Sequence, residues 1–488
     1  MLDFLTQLIW GKVLVAVLIA LGLLLTITSR FVQFRYFGRM FRLVRRSMKE
    51  SPDQINSFQA LSLTLAGRVG AGNIAGVAIA IALGGPGAVF WMWLIGLIGM
   101  GLSFFECSLA QLFKRKDSDG SFRGGPAYYI HRGLGLKWLA VLFSVLLLVT
   151  FGFAFNALQA HTVASTLKHT FGIATPITGS VLVVFIGLII FGGVRRIAEV
   201  AEVIVPIMVV AYFGIGLYVI GMNYHAAPAT FLLIFKSAFA LEPAFSGLIG
   251  IAIMMGVKQG MFSNEAGLGS APNVSAAAKV GHPADQGIVQ AFSVFMDTMV
   301  LCTCTAMIIL MSNSLDLGGV LNGVELTQLA LAKQMGELGR GLISLALMLF
   351  AFTSIIYNYY LGENSLRYLN SSNEKAVAIY RMFTLGLVMW GALQNLAAVF
   401  AFADITMGLL ALVNLVALFM LLKVGLRLLR DYDEQIQSGV KSPVFDPDKF
   451  ADLDIDHSAW APSTRDESEE QNEELSVSPR VGAPVIPS

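Results

Sequence analysis

Eleven apolar stretches recur along the chain, at about 11–29, 57–83, 88–113, 137–160, 176–192, 197–221, 245–262, 286–311, 341–361, 377–396 and 400–423. Each is near the ~20 residues that a helix needs to cross ~30 Å of hydrocarbon. In lipid every backbone N–H and C=O must be paired within the protein, so spanning segments of this length are helices. The expected fold class is therefore all-α, a polytopic membrane protein. Composition agrees: 56% of residues are hydrophobic and 13% charged, against roughly a quarter charged in a soluble protein. Cys107, Cys302 and Cys304 all fall inside apolar runs, and neither a disulfide nor a metal site is expected from them. The first run follows an acidic start and precedes a basic stretch, which reads as a retained span rather than a cleaved leader.

Charge fixes an expected orientation. The loop at 30–49 carries seven Lys/Arg, and further basic clusters lie at 114–125, 194–196, 365–375 and 423–430. All follow odd-numbered spans, so the positive-inside rule puts them in the cytoplasm and the N-terminus outside. A multi-pass protein of the plasma membrane is expected, the inner membrane if the source is bacterial. Residues 431–488 hold fourteen acids against four Lys/Arg, which reads as a solvated, disordered cytoplasmic tail. The mixed stretches 225–244 and 315–338 fall outside and suit short helices over the outer mouth.

Two spans contain residues that a lipid-facing helix would avoid. "AGRVGAGNIAG" (66–76) brings Gly67, Gly70 and Gly72 together with Arg68 and Asn73. "MMGVKQGMFSNEAGLG" (254–269) has Gly256, Gly260, Gly267 and Gly269 with Lys258 and Glu265. Unwound backbone survives at membrane depth only where it lines protein or a water-filled cavity. The two spans run in opposite directions and are separated by five spans. Spans two to six and seven to eleven then form an inverted repeat, the pattern of a secondary transporter with a midplane site. Four regions are expected: 1–50, an extra span and basic loop; 51–225, the first five-helix repeat; 226–428, the second; and 429–488, the tail. Glycines also serve close helix packing, and Gly76, Gly84 and Gly85 read better that way.

The segments "VGAGNIAGVAIAIALGGPGAVFWMW" (69–93) and "QGMFSNEAGLGSAPNVSAAA" (259–278) resemble the signature segments of the alanine-or-glycine:cation symporter family. "FNALQAHTVA" (155–164), "MDTMVLCTCTAM" (296–307) and "FADITMGLLALVNLVAL" (402–418) are similar to it as well. The resemblance covers about residues 50–425. It implies a leucine-transporter-type five-plus-five inverted repeat with one extra N-terminal transmembrane helix, in the amino acid/polyamine/cation superfamily.

An unwound helix offers free N–H groups to a carboxylate and free carbonyls to a cation. The Ala71 and Gly72 amides are assigned to the substrate carboxylate, with Asn73 as a polar neighbour. The resemblance points to sodium between the Ala66 and Val69 carbonyls and the Thr353 and Ser354 hydroxyls. Those hydroxyls alone would equally bond the preceding turn's carbonyls. It also places Gln159 at the site, and Met254, Met255 and Gly256 are expected to face the pocket from the seventh span. Two departures stand out. The family often has threonine where Ala71 stands, and tryptophan where Asn358 stands. Both are pocket positions, and they leave room for a larger or more polar amino acid.

Ionisable residues inside a membrane are functional candidates by default. Asp297, mid-span, reads as a second cation ligand, a proton acceptor, or the partner of Arg68 or Lys258. Glu265 is expected to anchor the inner half of the second break through an arginine or lysine. Arg68 is expected to meet a carboxylate or to snorkel. Asp404 sits near a helix start. Glu106, Glu199 and Glu202 are expected near the cytoplasmic ends, meeting water or loop arginines. No nucleophile–base pair stands out, so an enzyme is not expected. The reading is a sodium-coupled symporter of a small neutral amino acid, with sodium as coupling ion and no cofactor or nucleic-acid partner. The alternatives are proton coupling through Asp297, and a receptor or channel that binds an amino acid without carrying it.

Overall fold

The computed structural model describes residues 10, 13–48, 54–117, 120–242, 247, 249–312, 314, 323–370, 373–394 and 397–460, with side chains of 397–398 left aside. Of the tail expected to be disordered, 429–488, residues 461–488 lie outside these residues, whereas 429–460 are described, helical to Gln437 and with further helical turns at Pro447–Phe450 and His457–Ala459; parts of 243–248 and 315–322 also lie outside. The described chain is almost wholly helical. Its one sheet is a two-stranded antiparallel hairpin, β1 (Arg115–Lys116) with β2 (Phe122–Arg123).

In chain order the helices are α1 (Leu14–Thr28), α2 (Phe37–Ser47), α3 (Ser57–Arg68), α4 (Val77–Gly84), α5 (Gly87–Leu112) and α6 (Lys137–Phe171). Then come α7 (Thr175–Ile190), α8 (Gly193–Met222), α9 (Ala227–Ala238), α10 (Ile249–Asn264), α11 (Ala271–Ser275) and α12 (Pro283–Met311). The last are α13 (Val324–Met335), α14 (Glu337–Leu369), α15 (Glu374–Leu393), α16 (Ala397–Met420) and α17 (Leu422–Gln437). The described residues of all eleven apolar stretches read from the sequence lie almost wholly on these helices. Among the described residues seven helices are long and apolar enough to cross a membrane, or eight if the bent pair α3–α4 is one span; α1 and α7 are apolar but shorter. The protein is a multi-pass helical membrane protein.

Helix α5 is the central post, 72% buried along its most apolar window. It packs on α12, α10 and α1, while α14 packs on α3, α6 and α8 and α15 on α6 and α7. The two sets meet at α3, α4 and α10. Basic loops gather at one end. There Arg35 pairs with Asp433 at 2.8 Å, and the Lys116 amide donates to Asp456 at 3.2 Å. At the other end α13 lies over the core: Gln328 donates to Thr170 and Ser344 at 2.9 Å each, and Asn223 donates to Gln334 at 2.8 Å. Helix α9 lies at that end too. Both stretches read as mouth-covering helices thus contain one.

Candidate functional site

Helix α3 has a firm start. The Asn56 side chain accepts from the Gln59 amide at 2.8 Å, and the Gln59 side chain accepts from the Asn56 amide at 3.3 Å, a reciprocal capping box. Its end is abrupt. Val69 leaves helical geometry at ψ 80°, and the chain resumes after Gly70 as a π-helical turn, Gly72–Gly76, that leads into α4. The two halves are bent by 51°. The Gly70 amide is held by the Arg68 carbonyl and by Asn73 Oδ1, both at 3.0 Å. Ala71 and Gly72 open the second half, where helical N–H groups have no partner within their own helix.

Glycine is required here by neighbours. A methyl group added at Gly70 would sit 2.8 Å from Ser354 Oγ and 3.3 Å from Gln159 Nε2. One at Gly67 would meet the Tyr357 ring, 2.6 Å from Cζ, and one at Gly72 would lie 3.1 Å from the Phe262 ring. These contacts identify the walls of the break: Tyr357 and Ser354 of α14, Gln159 of α6, and Phe262 and Ser263 of α10.

The second break occupies only the far end of the expected segment 254–269. Helix α10 continues through Gly256 and Gly260 and ends at Asn264. Gly256 backs onto α5, where an added methyl would lie 3.2 Å from the Met92 amide nitrogen; one on Gly260 would lie 3.4 Å from Met92 Cα. They are packing glycines, as small residues often are between membrane helices. The chain unwinds instead at 265–270, where Glu265, Gly267 and Gly269 have φ of 54°, 83° and 79°. Gly256 therefore faces α5 rather than the first break, while Met254 and Met255 are half-buried. The α10 residues that reach the first break are Gln259, Phe262 and Ser263.

Glu106 overturns its expected surroundings. It is fully buried, away from the helix ends, and among the described residues no loop arginine is bonded to it. Its Oε1 accepts from the Gly267 amide at 3.3 Å and its Oε2 from Asn414 Nδ2 at 3.0 Å. Asn414 also donates to the Gly267 carbonyl at 2.9 Å and accepts from the Tyr129 hydroxyl. A resident carboxylate thus fills the second break. Glu265 accepts from Ser270 at 2.5 Å and Tyr357 at 3.2 Å, and among the described residues no arginine or lysine is bonded to it. Glu199 meets Arg195 and Arg196 as expected, and Glu202 accepts from Gln59.

Asp297 is fully buried in a π-helical stretch of α12, Phe295–Cys302. It accepts from Asn73 Nδ2 at 2.6 Å, from Ser263 Oγ at 3.0 Å and from Thr298 Oγ1 at 2.9 Å. Neither Arg68 nor Lys258 is bonded to it. Asn73 therefore ties the first break to Asp297, and Ser263 ties α10 to the same carboxylate. Arg68 is 1% exposed and does not snorkel. Its guanidinium donates to the Gln290 carbonyl at 3.0 Å, to Ser103 Oγ at 2.9 Å and to Ser293, and its Nε has no partner. No carboxylate lies within ion-pair distance of it among the described residues. Ser103 is one turn from Glu106, and Ser293 one turn from Asp297, so a single guanidinium stands between two buried carboxylates.

On the opposite wall, Ser354 Oγ lies 3.0 Å from the Ala66 carbonyl and 2.9 Å from that of Phe350. Thr353 is turned away, bonded to the Leu349 and Phe350 carbonyls and 3.7 Å from Met208 Sδ of α8. Val69 is buried at the end of α3. Gln159 Oε1 and Asn358 Nδ2 are buried and have no hydrogen-bond partner among the described residues. Lys258 pairs with Asp404 at 2.7 Å, beside Trp10, whose Nε1 donates to the Asp404 carbonyl. At the basic end a cavity of about 340 Å³ is lined by Gln54, Gln59, Arg123, Tyr360, Glu363 and Asn364. It lies one to two turns of α14 below Tyr357.

Residues 422–460 pack over that basic end. Arg39 donates to Tyr432 and the Lys441 carbonyl, the Phe445 amide donates to the Gly281 carbonyl, and Lys114 lies over the Trp460 and Phe122 rings. His282 and Lys449 converge on Asp431, at 3.1 and 2.7 Å. Burial works to raise the Asp431 carboxyl, but the hydrogen bonds and charges of His282 and Lys449 prevail and hold it down at about 2.

A family model described as "Sodium:alanine symporter family" matches residues 1–447. Named relatives cover nearly the same span. The chain is 44% identical to the Bacillus subtilis protein named "Probable sodium/glutamine symporter GlnT", over 90% of this chain and 91% of that one. It is 37% identical to the "Sodium/proton-dependent alanine carrier protein" of Bacillus sp. PS3, over 84% and 95%. It is also 37% identical to the "Sodium/alanine symporter AgcS" of Methanococcus maripaludis, over 85% and 92%. A solved structure of the Eremococcus coleocola manganese transporter matches at a TM-score of 0.49 and 14% identity, over 88% and 94%.

Proposed function

The chain belongs to the sodium:alanine symporter family, whose members are transporters rather than enzymes, and on that premise we propose that it carries a small neutral amino acid into the cell together with sodium. The observation that carries this reading is the convergence at the first break. Ser354 Oγ stands against the Ala66 carbonyl on one side, and the Gly72 backbone is packed against Phe262 and Ser263 on the other. The substrate carboxylate binds the Ala71 and Gly72 amides, at the start of the π-helical turn Gly72–Gly76 that leads into α4, where positive partial charge concentrates. Sodium binds the Ala66 and Val69 carbonyls and Ser354 Oγ. Thr353 joins by turning its hydroxyl away from Met208. Coupling is differential binding: the ion orders the same break that holds the carboxylate.

Alternating access then runs through a five-plus-five inverted repeat around the two breaks, with the basic end in the cytoplasm of a bacterial-type inner membrane and the N-terminus outside. The cavity by Tyr360 and Glu363 is the inner vestibule, and α13 covers the outer mouth. Asp297 supports a second reading, in which it takes a proton or a second cation; its bond to Asn73 would relay that charge to the break. Uptake of labelled alanine and glycine into proteoliposomes, with an inward sodium gradient and in sodium-free buffer at several pH values, tests both. Full uptake without sodium overturns sodium coupling, and failure of a proton gradient to substitute overturns the second reading.

A further inference from the structure

At the end away from the basic loops, α6 and α14 part around an apolar groove of about 510 Å³. Leu167, Phe171 and Ile173 form one wall. Gly172 shapes it. That residue ends α6 in left-handed geometry, φ 69°, and turns the chain back so that the Ile173 amide reaches the Leu167 carbonyl at 3.4 Å. Leu338, Gly341, Leu345 and Met348 form the other wall. Their spacing of three and four residues is one face of a helix. Gly341 widens the groove, since a methyl group there would touch only Phe171 Cζ, at 3.9 Å. Phe171, Leu338 and Leu345 are exposed, so the groove opens sideways from the protein. Both helices are spans, and what lies beside a span is lipid. From Glu337 to Met348 the lining follows α14 for about three turns, or ~16 Å. That is the hydrocarbon of one leaflet, half of ~30 Å.

The lining is apolar except at its mouth, where Glu337 opens α14. Arg340 stands one turn on, its guanidinium 3.3 Å from the Glu337 carboxylate, and both are exposed. An anion and a cation thus lie side by side at the polar end of a groove one leaflet long. A glycerophospholipid with an ethanolamine head matches each part. One acyl chain fills the groove, the phosphate accepts from Arg340, and the ammonium donates to Glu337. A choline head has no N–H to donate, and a glycerol head brings a negative charge with no cation for Glu337. The groove also backs onto the seat of α13. Gln328 of α13 donates to Thr170 and Ser344 at 2.9 Å each, and these directly precede Phe171 and Leu345 of the two walls. Beside Gln328, Thr327 donates to the Ile74 carbonyl at 3.3 Å, in the turn Gly72–Gly76 of the first break. An acyl chain that sets the separation of α6 and α14 therefore sets the seat of α13, and through Thr327 it bears on the break.

We propose that the groove between α6 and α14 is a phospholipid site selective for a primary-amine head group, and that its occupancy supports transport by bracing α13. The effect on transport rests on the reading of the first break as the cargo site; the binding does not. Gly341→Leu fills the groove without a clash, and leucine is the better helix former, so the variant is expected to fold. Glu337→Gln keeps the groove and removes the anion. Purified full-length protein is incubated with equimolar dioleoyl phosphatidylethanolamine, phosphatidylcholine and phosphatidylglycerol, and the retained lipid is read by native mass spectrometry. Wild type is expected to retain phosphatidylethanolamine over each of the others by about three- to fivefold, the worth of one exposed ion pair. Gly341→Leu is expected to lose most of the retained lipid, and Glu337→Gln to keep it but level the preference. Counterflow of labelled alanine is then compared in liposomes with and without phosphatidylethanolamine. The lipid is expected to raise the wild-type rate about twofold or more, the low end of coupling between linked sites, and to leave Gly341→Leu unchanged. Equal retention of the three lipids by wild type, or equal total lipid in wild type and Gly341→Leu, overturns the site and leaves only boundary lipid. Selective binding with a wild-type rate indifferent to the lipid overturns the bracing of α13. Counterflow that fails in every lipid overturns the reading of the first break instead, and lipid retention then still decides the groove.

Discussion

Ser354→Ala separates an ion-binding hydroxyl from one that merely caps its own helix. A serine hydroxyl has one proton, yet Ser354 Oγ stands at hydrogen-bond distance from two carbonyls, Ala66 at 3.0 Å and Phe350 at 2.9 Å. With no ion present the proton bridges to Ala66 across the break. On the proposed assignment, sodium binding would swing the proton to Phe350, so that Oγ and the Ala66 oxygen both turn lone pairs to the ion. Alanine removes one ligand from the bound state, worth about 1.5–3 kcal/mol by analogy with hydrogen bonds to charged groups. It also removes the Ser354–Ala66 bond from the empty state, worth about 1 kcal/mol. The two losses oppose each other, and the difference of roughly 0.5–2 kcal/mol corresponds to about a two- to thirtyfold rise in half-saturating sodium. Sodium titration of alanine uptake in proteoliposomes reads this directly. Thr353→Ala should shift the same curve less, because its hydroxyl must first leave the Leu349 and Phe350 carbonyls. An unchanged sodium curve in Ser354→Ala, with uptake intact, would refute the ligand assignment and leave the hydroxyl as a helix cap.

Gly67→Ala places a methyl against the Tyr357 ring, and overpacking there is expected to reduce uptake at least about tenfold with a melting temperature lowered by a few degrees. Glu106→Ala leaves the Gly267 amide and Asn414 Nδ2 without their acceptor; a loss of about 2–4 kcal/mol is expected in thermal melts, and Glu106→Gln should restore part of it. Asp297→Asn sets amide against amide at Asn73 and is expected to depress uptake more than Asp297→Glu; equal uptake in wild type and Asp297→Asn would remove Asp297 from coupling. The Asp431 carboxyl is held down at about 2, so its contribution to docking 422–460 is present above the ordinary carboxylate range near 4 and lost as pH falls through about 2. Limited proteolysis at 438–446 should accelerate over that window, and Asp431→Asn should expose the segment already at neutral pH.

The spans were readable because lipid leaves one solution to the backbone problem, and that solution needs only length and apolarity. The first break was readable because Gly70, Arg68 and Asn73 are wrong for a lipid-facing helix in three different ways. The second lies within the segment read for it, 254–269, but only its Glu265–Gly269 end is unwound. Gly256 and Gly260 resemble breakers, and only the presence of α5 against them reveals close packing instead. Glu106 was misplaced because position along a helix measures depth, not surroundings, and its partners Gly267 and Asn414 lie 161 and 308 residues away. Asp297 was identifiable as a charge in a span, but its link to Asn73 was not.

The two breaks solve the same backbone problem in different ways, and the difference gives them separate roles. An unwound membrane helix exposes amides that need an anion. At 265–270 the anion is built in: Glu106 accepts from Gly267, and Asn414 takes the Gly267 carbonyl. No substrate carboxylate can compete there without displacing a covalently attached one. At the first break, Asn73 satisfies Gly70 and turns its other end to Asp297. The next two amides, Ala71 and Gly72, fall at the start of a half-helix facing Phe262 and Ser263. On the proposed function cargo belongs at the first break, and the second would serve as its hinge. The two remain connected, because Ser263 of α10 and Asn73 share the Asp297 carboxylate, and Tyr357 packs on Gly67 while donating to Glu265. Rearranging the first break around an ion and a carboxylate must disturb both links. That gives the hinge a physical reason to respond to occupancy at a site it does not touch.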